Sequence, residues 1–190
     1  KNFAVEIIDQ RSEIALVSVI NHPDLGALKR SIETNQQRKV SILKPEEVKS
    51  LQNYNILILY QPTTSFKAIF EQNKVAQINT FIITGTATDF NFLNQVQNDL
   101  LFKMSAQKED YLTTYESNFN LFSQSNIGFE NFPPLEHKFG TIAAKSNVNT
   151  LLSARIRNVQ LQNPLLTFTE NGSKRNAYLL GENIWKWRLE

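Results

Sequence analysis

The chain has 190 residues, 41% hydrophobic and 20% charged, which places it among folded globular proteins and outside the disordered class. It contains no cysteine, which excludes a thiol nucleophile, a zinc ribbon, an iron–sulfur site and a disulfide framework. The net charge is +2 and the densest basic groupings are the pairs Lys174 with Arg175 and Lys186 with Arg188, too few to neutralise a run of phosphates, so no nucleic-acid partner is expected.

No apolar run approaches the roughly 20 residues of a membrane span and no signal peptide is visible. Membrane attachment is therefore expected only through segments outside this sequence. The chain starts at Lys1 without an initiator Met and reads as a processed or excised piece of a longer protein. Residues 3–7 alternate apolar and polar, as a half-buried strand does, and Asp9 to Ser12 interrupt them. Residues 1–12 read equally as the tail and hinge of a preceding domain or as an extra edge strand, leaving 13–190 as the main domain.

Residues 14–20, 56–60 and 81–83 are almost continuously apolar, the habit of central parallel strands buried on both faces. Val40 and Ile42 alternate with polar neighbours, which marks an edge strand. Leu25, Leu28 and Ile32 share one helical face, as do Phe66, Ile69 and Phe70 after a Ser65 cap. Pro45 with Glu46 and Glu47 suits a short helix, and Phe90, Leu93, Val96 and Leu100 mark another. Strand–helix alternation predicts right-handed βαβ units, hence an α/β fold: a doubly wound, mainly parallel, flavodoxin-like sheet of order 2-1-3-4 with strands near 13–20, 39–43, 56–60 and 80–84.

Residues 105–150 are aromatic, Asn-rich and poorly periodic, and read as a long excursion packed on the sheet with short strands such as 141–144. Regularity returns at Leu152, Ala154 and Ile156. A C-terminal β-hairpin follows, with residues 165–169 and 177–180 joined through Asn171-Gly172. The formal glycosylation sequon at Asn171 is read as a by-product of that turn. Trp185, Trp187 and Leu189 share a face if the chain end is a strand; a helix would set Trp187 apart. Both readings of 183–189 remain open.

The stretch 81–93, FIITGTATDFNFL, has the strand–turn–helix form that carries a nucleophile in many α/β enzymes. Here the centre of the turn is Ala87, which has nothing to attack with. Thr86 and Thr88 would need a general base in reach, and the chain has only two histidines, His22 and His137. Helix capping by Thr86, Thr88 and Asp89 is the expected role, and His137, among charges, is expected at the surface.

The strand order, the Gly85 turn and the closing Leu180-Gly181-Glu182-Asn183-Ile184-Trp185-Lys186-Trp187-Arg188-Leu189 together resemble the class I glutamine amidotransferase-like domains of bacterial membrane-anchored proteins, which often also carry Ig-like or von Willebrand A-like modules. The resemblance spans most of 13–190 and implies an amidotransferase-like fold on the periplasmic face of the cell envelope. It also implies a Cys at the elbow and a His and Glu after a later strand. This chain offers Ala87 and Gly181-Glu182-Asn183, so the ancestral activity is expected to be lost and no catalytic residue is assigned.

In such a sheet, ligands bind beyond the carboxyl ends of the strands. The loops there gather His22, Asp24, Gln61, Thr63, Thr86 and Thr88, with Glu182 arriving from the last strand. This crescent is the candidate site for a small anionic ligand; its plain alternative is helix capping. No cofactor is implied, and His22 with Asp24 is too small a set for a metal. The expected function is a non-catalytic binding or assembly module whose partners are other domains of the same chain or envelope proteins. The alternatives are a hydrolase or transferase with an unrecognised site at the same crescent, or a spacer without ligand.

Overall fold

The computed structural model describes residues 11–188. Nine strands form one mixed sheet: β1 (Ser12–Val17), β2 (Arg38–Leu43), β3 (Ile56–Tyr60), β4 (Asn79–Thr84), β5 (Leu100–Tyr115), β6 (Leu135–Ala144), β7 (Val148–Ile156), β8 (Val159–Asn171) and β9 (Lys174–Leu180). Their order is β2-β1-β3-β4-β9-β8-β7-β5-β6. The α-helices are α1 (Pro23–Ile32), α2 (Lys67–Ala76) and α3 (Phe90–Val96), and a 3-10 turn at Ile184–Arg188 ends the described chain. The strand expected at 3–7 lies outside the described residues, as does most of segment 1–12. Ser12 already pairs with Arg38, so the sheet includes it.

Half of this sheet follows from local pattern. The first four strands run parallel in the order β2-β1-β3-β4 with β2 at the edge, as the apolar runs predict. Alternate residues of β3 feed two cores: Leu57 and Leu59 pack with Phe66, Ile69, Phe70 and Leu93 beneath α2 and α3, whereas Ile58 and Tyr60 pack with Leu25 and Leu28 beneath α1. Each such aliphatic or aromatic side chain contributes about 1.5–3 kcal/mol when fully buried, which offsets the ordering of the strands. The cap expected from Ser65 is absent; a 3-10 turn at Thr64–Phe66 leads into α2 instead. Leu100 belongs to β5, not to α3.

The fold as a whole is not the doubly wound, mainly parallel sheet that the sequence predicts. Beyond β4 and β9 every pairing is antiparallel, and antiparallel pairing predominates over the sheet. The difference arises in residues 100–156, where three long strands replace the expected excursion. In β5, Leu100 and Phe102 are buried at even positions and Tyr111 and Thr113 at odd ones, because a register shift falls between Met104 and Lys108. An irregularity of this kind breaks period-2 alternation, and the exposed polar run across it erases the strand signal. The two buried sets even join different cores.

The C-terminal hairpin forms, and β9 then inserts beside β4 in parallel. Its turn is Gly172-Ser173, one residue later than the expected Asn171-Gly172, with Asn171 ending β8 and Gly172 at φ 62°, a positive φ that favours glycine. Gly172→Ala should lower unfolding free energy by about 1 kcal/mol, because open space surrounds the position and only the backbone resists a Cβ. Urea denaturation measures this, and an unchanged midpoint would refute it.

Candidate functional site

The carboxyl ends of β3, β4 and β9 converge on one polar network. Beyond Tyr60 the backbone of Gln61 turns left-handed at φ 49°, a conformation costing about 1–3 kcal/mol for a non-glycine residue. Its N–H still donates to Ile83 O at 2.7 Å, so the ladder continues while the side chain swings toward the β4 turn. Gln61 Oε1 accepts the Ala87 N–H at 2.7 Å, and Gln61 Nε2 donates to Glu182 Oε2. Glu182 also accepts the Thr86 N–H at 3.2 Å and the Thr86 hydroxyl at 2.9 Å. Gln61 and Glu182 are buried.

The turn therefore presents two backbone N–H groups, as a nucleophile elbow does, but the protein's own side chains occupy them. Gly85 leaves room for this network: a Cβ there would sit 2.6 Å from Gln61 Nε2 and press on the Glu182 carboxylate, so both side chains would have to move out of their hydrogen bonds. Thr88 Oγ1 accepts the Gly85 N–H at 2.9 Å, and Asp89 Oδ1 caps α3 through the Phe92 N–H at 2.9 Å. Helix capping thus accounts for Asp89 alone: Thr88 holds the turn through Gly85 instead, and Thr86 bonds to Glu182.

A second network lies alongside. Asp24, fully buried, accepts the Tyr60 hydroxyl at 2.8 Å, the Asn183 N–H at 2.8 Å and the Trp185 N–H at 2.9 Å. It serves as a tertiary cap for the 3-10 turn at Ile184–Arg188, entered through Asn183 at φ 79°. His22 accepts the Asp24 N–H at 3.2 Å, capping α1, and its ring lies 5.4 Å from that of Tyr60. Burial first and the Asp24 charge second push the Tyr60 phenol far above its ordinary range, so it stays a hydrogen-bond donor.

The closing segment is thus neither the strand nor the α-helix of the two open readings. Trp187 packs on Phe132, with ring centroids 5.2 Å apart, and its indole N–H donates to Pro133 O at 2.8 Å.

Of the predicted crescent, Gln61, Thr86 and Glu182 are in direct contact, Thr88 braces the turn, and His22 with Asp24 forms the neighbouring network. Thr63 is not brought in; its hydroxyl pairs with Ser65 at 2.8 Å. Sequence reasoning misses Tyr60 and His137. Tyr60 carries a signal, as the only polar-tipped residue ending the apolar run 56–60. His137 is not at the surface but buried beside the site, because β6 returns over the end of β9 through paired backbone groups of Glu136 and Glu182. Its Nδ1 lies 2.9 Å from Lys138 O, which can only accept, so Nδ1 carries the proton and Nε2 accepts the Thr84 hydroxyl at 2.8 Å. Burial lowers its pKa to about 4.

Among the described residues every buried side-chain polar atom has a partner, and no cluster of three or more metal-ligating residues occurs. No helix among them is long and apolar enough to cross a membrane. Compared with known proteins, the chain matches no family model and no curated sequence.

Proposed function

We propose that this domain is a non-catalytic binding or assembly module of a larger envelope-anchored bacterial protein. The observation that carries the reading is the self-occupied turn after β4, where Glu182 and Gln61 take the N–H groups of Thr86 and Ala87. An acyl-transfer enzyme needs such donors free for the oxyanion of its intermediate. An external anion at this turn has to displace a buried carboxylate held by three donors. The periplasmic setting, and neighbouring domains or envelope proteins as partners, rest on the resemblance of residues 180–189.

A second reading has one observation in its favour. Thr86 Oγ1 donates to Glu182 Oε1 at 2.9 Å, the spacing of a hydroxyl nucleophile and its base. The experiment that separates the two readings measures ammonia release from glutamine and hydrolysis of activated esters by wild type and Thr86→Val. The module reading expects both proteins to match a heat-denatured control. Turnover by wild type that Thr86→Val abolishes would overturn it and establish the hydroxyl chemistry.

A further inference from the structure

At the opposite end of the parallel strands lies a second polar site, independent of the β4 turn. A cavity of about 240 Å³ opens between the end of α2, the start of β4, the loop after α3 and the β8–β9 hairpin. Its organiser is Asp99. One carboxylate oxygen, Oδ2, accepts the Tyr178 hydroxyl at 2.6 Å, Asn176 Nδ2 at 2.9 Å and the Thr169 hydroxyl at 3.0 Å. Asn176 is held in turn by the Thr80 hydroxyl at 2.7 Å. Among the described residues, the other oxygen, Oδ1, has only the Ser146 hydroxyl, at 3.4 Å. The carboxylate is thus fixed in place with one face under-used.

Lys174 lines the same cavity. It is half-buried, and among the described residues its ammonium makes no hydrogen bond or ion pair. Burial lowers its pKa while the charge of Asp99 raises it, so the two groups sense each other without closing a salt bridge. A partly buried cation and a fixed carboxylate therefore line one cleft as separate charged walls of opposite sign.

We propose that this cleft binds a small zwitterion of amino-acid size, its carboxylate on Lys174 and its ammonium on Asp99 Oδ1. A simple anion meets Asp99 and a simple cation meets Lys174; only a ligand carrying both charges satisfies both walls. The space is adequate, since an apolar cavity of ~150 Å³ admits a benzene ring. The amide side chains of Asn98 and Asn171, on the same lining, add neutral donors and acceptors at the rim. Because the Asp99 carboxylate is pre-organised by three donors, little ordering opposes binding.

The test is an amide chemical-shift titration of the 190-residue chain with glycine, L-alanine and L-serine, using acetate and methylamine as single-charge controls. Saturable shifts centred on Asn98, Asp99, Lys174 and Asn176 are expected, with each control at least about tenfold weaker. Lys174→Met removes the cation while keeping an apolar stem, so the fold is retained and affinity should fall by about tenfold or more. The proposal is overturned by absence of saturation for all three zwitterions, by acetate binding as tightly as glycine, by shifts centred elsewhere, or by full affinity in Lys174→Met.

Discussion

Asp24→Ala is expected to lower unfolding free energy by about 4 kcal/mol. The fully buried carboxylate serves three donors: a buried phenol and two backbone N–H groups opening the 3-10 turn at Ile184–Arg188. Truncation leaves all three without a partner, and each buried unsatisfied group costs roughly 1–3 kcal/mol. Domains of this kind have only about 5–15 kcal/mol to lose. The effect should also have a local signature, because both tryptophans of the chain lie in the turn that Asp24 caps. Tryptophan emission should shift to the red under native conditions while far-ultraviolet circular dichroism stays near wild type. A loss below about 1 kcal/mol with unchanged emission would show that Asp24 is not the cap that holds the turn.

Acid should destabilise the domain through His137. In the folded chain its pKa is about 4, lowered first by burial; in the unfolded chain it lies near the ordinary value of about 6.5. Above both values neither state binds the proton and His137 exerts no pH dependence. As pH falls through 6.5 the unfolded state takes the proton and the folded state does not, so stability drops until about pH 4, where the folded state protonates too. The full difference is about 3 kcal/mol. His137→Gln keeps a donor and an acceptor near Lys138 O and Thr84 but cannot titrate. Urea unfolding of both proteins from about pH 7.5 to 4.5 isolates this contribution from that of the carboxylates. The stability gap between wild type and variant should shrink by about 2–3 kcal/mol across that range; a constant gap would mean that the imidazole is not held neutral by burial.

The polar side of the candidate site is only half legible in the sequence. Chain order and the apolar runs place Gln61 and Thr86 at neighbouring strand ends, but Glu182 joins them only because β9 inserts in parallel beside β4. Whether they line an empty crevice or bond to each other depends on a left-handed residue at Gln61 and on the approach of Glu182 to Gly85, neither of which leaves a periodic mark. His137 shows the same limit. Its neighbours Glu136 and Lys138 are charged, which suggests solvent, yet strand geometry sends alternate residues to opposite faces and turns His137 inward between Phe90 and Tyr111.

By itself the sequence marked the parallel half: the continuous apolar runs suit strands buried on both faces and the alternation of β2 suits an edge, although β1 stops at Val17, short of the expected residue 20, and leaves Val19 exposed. It also determined the final hairpin, because a Gly at the turn between two apolar runs has few other uses. Only the tertiary structure decided the antiparallel half. The strands β5, β6 and β7 draw their order from long-range pairing and from two different cores, and an irregularity within β5 shifts which residues face inward. Such strands are specified by the partners they meet rather than by their own period, so no window of local sequence contains the information.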